Sequence, residues 1–405
     1  MLSFVKKFKY IIEKDPEIIF FFPIGFLFLV ILLFLNIFIN IRIGFLHSDR
    51  LGHFAANTEL YLCLKKKLNI NSIDLFYLDK KISNKFLLTK WKEIITILPR
   101  FILRPVDLFI RATFLKKILS CNYIYNSDRD IFNCYEDFAP NIFFSKKERN
   151  LIDKFNRKFN IKKNSKIVCI NVRDRAYLDF HYNSLVEGHD FSYHNFRDSN
   201  IENFKDTILM LLDKGYHVFR VGTKVVSELN INNPRYFDKD YRDRRDDFSD
   251  VYLASICNFC ISTGSGFDAL VRIFRNPILF VDLIPLGYYH SFCFHDLTIS
   301  KSIYFKNKKL RIRDIIKKDF LFAQNQQFYS KKNLKIKNNS PSEILHATKE
   351  MVNDLKNRKY LKNKHNSKNQ VTLDSLIKDK CLEHNLKLHG VYNSSFAKEF
   401  LKNNL

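Results

Sequence analysis

In "NFCISTGSGFDALV", residues 258–271, an apolar run from Phe259 leads into Thr-Gly-Ser-Gly and then into a helically spaced pattern. A strand, a glycine turn and a helix in that order are the parts of a βαβ unit. Downstream, Asn276 and Pro277 end the helix and "ILFV" at 278–281 supplies the next strand. Upstream lie a helix around 247–258, the strand "HVFRVG" at 217–222 and a helix over 200–214. In that helix Ile201, Phe204, Ile208, Leu211 and Leu212 keep helical spacing, and Gly215 stops it. A further strand, 167–172, opens the unit inside "CINVRDRAYLDF", residues 169–180. The succession predicts a parallel, doubly wound sheet.

Ligands of such sheets bind beyond the carboxyl ends of the strands. Arg173, Arg220 with Gly222, and the turn Thr263, Gly264, Ser265 and Gly266 all fall there. Glycines let a ligand approach the backbone, the amides opening the next helix attract an anion, and Thr263 and Ser265 add hydroxyls. The turn therefore reads as a phosphate site, against the plainer reading of a capped strand-to-helix turn.

Other readings of the same residues compete. Gly264, Gly266 and Ala269 match the GxGxxA dinucleotide fingerprint, with Asp282 ending the next strand where a ribose-binding acid would stand. That motif normally opens its domain at the first strand, and here several units precede it. Ser265 is not in a nucleophile elbow, because Thr263 occupies the first glycine position. Asp238-x-Asp240 has a metal-binding look, but the arginines interleaved in "DKDYRDRRDD" (238–247) favour a self-neutralising loop, and no metal site is expected. Cys257-x-x-Cys260 lacks a second ligand pair.

The chain has 405 residues, enough for two domains, and a formal net charge of +25. Such charge fits phosphate or a membrane surface as well as compositional bias. Without an Arg-rich helix, zinc-finger spacing or RNA-binding aromatic motif, no nucleic-acid partner is expected. Eight scattered cysteines, several inside apolar runs, suit a reducing compartment.

From Ile18 to Ile41 runs "IIFFFPIGFLFLVILLFLNIFINI", uncharged and long enough to cross a hydrocarbon core of about 30 Å. It predicts a membrane helix over 18–40, while Pro23 and Gly25 also allow a re-entrant or interfacial element. Lys6, Lys7, Lys9 and Lys14 precede it and Arg42 and Arg50 follow, so the positive-inside rule favours a cytoplasmic N-terminus. The unpaired cysteines favour a cytoplasmic body instead.

Ile41, Ile43 and Phe45 then give a strand, "HSDRLGH" (47–53) a polar turn, and Phe54 to Lys67 a helix. A second strand "IDLFYLD" (73–79), helices "KWKEIITIL" (90–98) and "DLFIRATFLKKIL" (107–119), and a strand "NYIYN" (122–126) complete a first α/β layer. The charged helix within 145–166 marks a boundary near 155–165. Beyond 300 the chain is lysine-rich and polar, with a Ser-Pro-Ser-Glu helix start at 340, a basic stretch after it and a closing helix expected to pack on the first domain.

The blocks "SDRLGHFAANTELYL", "VCINVRDRAYL", "YHNFRDSNIENF", "KGYHVFRVG", "RRDDFSDVYLASICNFCISTGSGFDAL", "NPILFVDLIPLG" and "HGVYNSSFAKEFLKNNL" occur in this order. Together they resemble a family of bacterial glycosyltransferases of surface-polysaccharide loci. More distantly, "NVRDR" and "STGSG" are similar to the two donor-binding motifs of fucosyltransferase-like GT-B enzymes, with Asn171 in place of a frequent histidine.

The resemblance implies two facing Rossmann-like domains, 41–160 for the acceptor and 161–340 for a nucleotide-sugar donor. They would follow a basic segment (1–17) and the membrane helix, and precede C-terminal helices with a basic tail (341–405). It implies a metal-independent transferase with no cofactor, acting on a glycan or lipid-linked acceptor; the unpaired cysteines and the cytosolic supply of activated substrates put the expected body at the cytoplasmic face of the inner membrane. Arg173, with Thr263, Gly264, Ser265 and Gly266, would hold the donor diphosphate. Asp49 or His53 would serve as the base. Asn57, Asp174, His181, Glu187, His194, Arg220, Gly222 and Asp268 are pocket candidates. An NAD-dependent sugar-modifying oxidoreductase and a non-catalytic membrane-tethered glycan or nucleotide binder are the alternatives.

Overall fold

The computed structural model describes residues 16–120, 129–176, 192–357 and 367–405. The expected strand at 122–126 and the candidates His181 and Glu187 lie outside the described residues. The chain divides into two compact units, 1–128 and 129–405.

In the first unit, β1 (Ile41–Leu46), β2 (Ile73–Leu78) and β3 (Thr96–Ile97) form a parallel sheet in sequence order. β1 is followed by the helix Leu51–Lys67, three residues longer at its start than the sequence pattern predicts. The segment read as a helix over 90–98 instead ends the helix Lys85–Lys92 and supplies β3. Its apolar run is short enough to suit either element. The next helix, Arg100–Ala112, starts earlier than expected and carries Pro105 in its second turn. Leu103, Val106 and Ile110 of that helix pack with Ile41, Ile43, Tyr77, Leu29 and Leu32.

The second unit is built on seven strands, all parallel: β4 (Lys166–Asn171), β5 (Tyr216–Arg220), β6 (Tyr236–Phe237), β7 (Phe259–Ser262), β8 (Ile278–Leu283), β9 (Leu297–Ser300) and β13 (Ser395–Phe396). Their order is β13-β9-β8-β7-β4-β5-β6. From β4 the chain steps outward through β5 and β6, returns to pair β7 on the other side of β4, and continues outward through β8 and β9. The reversal leaves a crevice beyond β4 and β7, where loops of opposite sense diverge. The central strands are fully buried, which explains their continuous apolar runs.

The charged helix Arg149–Lys158 is part of this unit, with Phe155 against Phe219 and Tyr252, and so does not mark its edge. The lysine-rich region beyond 300 is structured: β10 (Ser302–Phe305), β11 (Lys308–Lys309) and β12 (Leu334–Lys337) form an antiparallel sheet in the order β11-β10-β12. Ile303, Leu310, Ile315 and Tyr329 give it a core. The closing helix Lys398–Asn404 packs against Pro341–Lys356 and Lys368–Glu383 of its own unit, where the sequence reading expected the first domain.

Candidate functional site

At the crevice, the loops after β4 and β7 are bound to each other. The backbone amide of Thr263 donates to the carbonyl of Asn171 at 3.0 Å. The amide of Arg173 donates to Thr263 Oγ1 at 2.8 Å, which fixes where the guanidinium leaves the backbone. Asn171 Nδ2 donates to Ser265 Oγ and, at 3.3 Å, to Asp268 Oδ1. Position 171 thus holds the turn in shape. Thr263 and Ser265 accept these bonds with their oxygens, and each hydroxyl keeps its own proton to donate.

The turn is partly self-satisfied. The Gly264 amide donates to Ser262 Oγ and the Ser265 amide to Asp268 Oδ2, which leaves the amides of Gly266 and Phe267 as the turn's backbone contribution. Asp268 is corrected from pocket residue to structural anchor: it is buried and also accepts from Ser262 and Asn171. Burial pushes its carboxyl up to about 6, against the opposing pull of those hydrogen bonds.

Gly264 has φ +83°, and a Cβ there would lie 3.7 Å from Arg197 Nη2, so the requirement for glycine is conformational. Gly264→Ala is expected to lower stability by about 1–2 kcal/mol, read as a lower urea midpoint with unchanged m value.

Two cations that the sequence reading did not single out join Arg173. The Arg197 guanidinium, at the end of the 3-10 turn Ser192–Arg197, donates to the Gly264 carbonyl at 2.8 Å. Lys301, directly after β9 and only 5% exposed, donates to the Asp198 carbonyl. Arg173 Nε stands 3.7 Å from Asp198 Oδ1, beyond hydrogen-bond distance, and has no hydrogen-bond partner among the described residues.

Burial and then the charge of Arg197 push the Arg173 guanidinium down to about 10. Burial pushes Lys301 down to about 8; Asp282 and Asp198 support its charge, while Arg173 and Arg197 oppose it. Burial likewise raises the Asp198 carboxyl against the pull of Arg173 and Lys301. Arg173, Arg197 and Lys301 thus stand within reach of one another's charge, with Asp198 and Asp174 beside Arg173 and Asp282 beside Lys301.

The remaining candidates separate. Arg220 is 1% exposed and spends Nη1 on Asp238 Oδ2 at 3.1 Å and on the Ser227 carbonyl, bracing the end of β5, while its Nε has no hydrogen-bond partner among the described residues. Asp238 also accepts from Arg242 and from the Leu229 amide, and Asp240 pairs with Arg244. Asp174 accepts from the amides of Ala176 and Val226, tying the β4 loop to the loop after β5. Gly222 has φ +131° with open space around it, and the His194 ring lies 4.0 Å from that of Tyr193.

Asp282, the acid that the dinucleotide reading needs, is committed through Oδ1, while its Oδ2 has no hydrogen-bond partner among the described residues. It is buried, φ +55°, accepts from the Asn339 amide, and its own amide donates to Asn339 Oδ1 at 2.8 Å.

Asp49, His53 and Asn57 belong to the first unit. His53 Nδ1 lies 3.4 Å from Asn57 Oδ1, and its ring is 5.7 Å from that of His47. Asp49 has one carboxylate oxygen with no hydrogen-bond partner among the described residues and the other 3.8 Å from Arg50 Nε.

No family model matches the sequence, and no curated protein matches it. Among solved structures, the chain is similar to Escherichia coli ADP-heptose lipopolysaccharide heptosyltransferase II at 13% identity and a TM-score of 0.41, covering 66% of this chain and 92% of that one. It is also similar to a glycosyl transferase family 9 protein from Veillonella parvula DSM 2008, at 12% identity and a TM-score of 0.40, covering 64% and 85%. Nothing about activity follows from likenesses this distant.

Proposed function

We propose that this protein is a glycosyltransferase that takes its sugar from a nucleoside diphosphate donor, with the diphosphate held by Arg173, Arg197, Lys301 and the turn Thr263–Gly266. The convergence of Arg173, Arg197 and Lys301 on the reversal of strand order carries the reading. In the transfer, an acceptor hydroxyl attacks the anomeric carbon, its proton passes to a base, and the bond to the diphosphate oxygen breaks. Charge then builds on the leaving phosphate, where three fixed cations are worth more than in water. The base is assigned to Asp49 or His53, of which Asp49 has the unpartnered oxygen. The acceptor is read as a glycan or lipid-linked sugar of surface polysaccharide assembly, and the sugar as a hexose or fucose.

Calorimetric titration with GDP, UDP, dTDP, CMP and NAD tests this. One nucleoside diphosphate should bind more tightly than CMP, which has a single phosphate, and NAD should not bind. The affinity should also fall with pH. With Lys301 near 8 in the free protein, half its charge is gone there, and an anion restores it by taking up a proton. Between pH 7 and 9 the affinity should weaken by roughly tenfold, with proton uptake seen by comparing buffers of different ionisation enthalpy. NAD binding, or no nucleoside diphosphate binding, overturns the reading. Binding without hydrolysis or transfer of the corresponding nucleotide sugar leaves a binder only.

A further inference from the structure

The N-terminal apolar helix is not free-standing. It runs as a 3-10 turn, Pro16–Phe21, and an α-helix, Phe22–Leu35, and one stripe of it is buried: Gly25, Leu29 and Leu32, at i, i+4 and i+7. That stripe lies along the helix Arg100–Ala112. A Cβ on Gly25 would meet Pro105 Cβ at 2.6 Å, so glycine is what permits the approach. The Phe21 ring lies tilted 5.1 Å from Phe101 and Phe22 meets Phe109 edge-on at 5.3 Å, and Leu29 and Leu32 share a core with Leu103, Val106 and Ile110, so contact continues along both helices.

The helix Arg100–Ala112 is in turn bolted to the sheet. Arg104 donates to Tyr77 Oη at 3.1 Å, Tyr77 donates to Asp107, and Arg111 donates to Asp107 at 2.8 Å. Leu29 and Leu32 share their core with Ile41 and Ile43 of β1. The helix end is also closed directly onto that strand, because Asn36 Oδ1 accepts the Ile41 amide at 2.7 Å.

Were Pro16–Leu35 to stand upright across a bilayer, Arg104, Asp107, the half-exposed Arg111 and the β1 backbone would be carried to hydrocarbon depth. Each charge there costs roughly 2.5–3.5 kcal/mol on insertion scales, and irregular polar backbone is excluded where lipid reaches it. Yet the outer face of the helix is bare: Phe20, Leu27 and Phe34, spaced by seven, are exposed, Phe20 at 82%. The same unit exposes Phe101, Phe114 (76%) and Ile118, with the exposed Lys116 and Lys117 set between the last two.

We propose that the first unit is monotopic: the helix Pro16–Leu35 lies within one leaflet, and Phe114 and Ile118 enter the same leaflet beside lysines that meet anionic headgroups. The charge selects this occupant. The helix has no acidic residue after Glu17, and the preceding sequence sets Lys6, Lys7, Lys9 and Lys14 against Glu13 and Asp15, so the selecting charge is that of the exposed Lys116 and Lys117 between Phe114 and Ile118, which an anionic surface matches and a second copy would set against its own. Residues 1–15 and the body of the protein then share one side of the membrane. This stands independently of the reaction proposed above.

Flotation of the full chain on vesicles of phosphatidylcholine alone, or mixed with phosphatidylglycerol, tests it. Partitioning should be stronger on the mixed vesicles, and Phe114→Glu with Ile118→Glu, both at exposed positions, should weaken it by tenfold or more. A spanning helix would be indifferent to that pair, so unchanged partitioning overturns the proposal. Protease added outside reconstituted vesicles should cleave an N-terminal tag and the body together; in each vesicle orientation, a tag protected while the body is cut overturns it too. Loss of self-association in the double variant, without loss of flotation, would assign the face to a second copy and likewise refute the membrane.

Discussion

Arg173→Gln should lower donor affinity and kcat/KM by on the order of 10² to 10³. The side chain is 15% exposed, its Nε has no hydrogen-bond partner among the described residues, and its nearest carboxylate, on Asp198, stands 3.7 Å away. Removing one partner from a desolvated charge pair costs about 3–5 kcal/mol, and in the proposed donor complex the group left without its cation is the diphosphate. A second effect has the opposite sign and belongs to the same cluster. Arg173 is one of the charges holding Lys301 down near 8, so its removal lets Lys301 rise, and the alkaline limb of donor binding moves to higher pH. The variant should therefore bind more weakly yet keep its affinity further into the alkaline range, measured by titration from pH 7 to 10. Were Arg173 only a structural partner of Asp198, the melting temperature would fall while donor affinity and its pH dependence stayed put. That result would remove the enzyme reading.

The parts of the fold that are legible in sequence are those where a single physical rule governs. β4, β5, β7 and β8 are buried on both faces, so each reads as a short apolar run, and Gly215 and Pro277 punctuate them where the chain must turn. The meeting of two loops follows from the same reading, since the reversal of strand order puts Arg173 and Thr263–Gly266 at one crevice.

What sequence leaves open is the direction in which a polar residue at a strand end is spent. Arg173 and Arg220 have the same address, just at the ends of neighbouring strands. Only tertiary structure shows that Asp238, just after β6, meets Arg220 at 3.1 Å, whereas the carboxylate facing Arg173, on Asp198, stands 3.7 Å off. Arg197 stands in "YHNFRDSNIENF", but a 3-10 turn of six residues is too short for its three-residue period to show in the sequence. Lys301 was missed because β9 is four residues long and sits at the start of a lysine-rich stretch; the apolar alternation through Ile299 and Ile303 was the available signal. The same lysines, exposed on β11 and β12, hid the small sheet that buries Ile303 and Leu334.

Arg220→Met offers the sharpest contrast with Arg173: the sequence reading put Arg173 on the donor diphosphate and Arg220 in the pocket, and the two differ in how their guanidiniums are paired. The Arg220 guanidinium is desolvated and holds Asp238, whose carboxylate is itself buried and shared with Arg242 and the Leu229 amide. Methionine fills much of the volume but leaves Asp238 short of one charge, for an expected loss of about 3–5 kcal/mol in unfolding free energy. In a unit of this size that corresponds to a fall in melting temperature of roughly 10 °C. Adding Asp238→Asn should restore part of the loss, since the amide oxygen still accepts from Leu229 and no uncompensated carboxylate remains; the double-mutant cycle then reports the coupling between the two residues. Donor affinity per folded molecule should be the same in all of these proteins, in contrast to Arg173→Gln. A drop in donor affinity with an unchanged melting temperature would return Arg220 to the pocket and show that the guanidinium leaves Asp238 when the donor arrives.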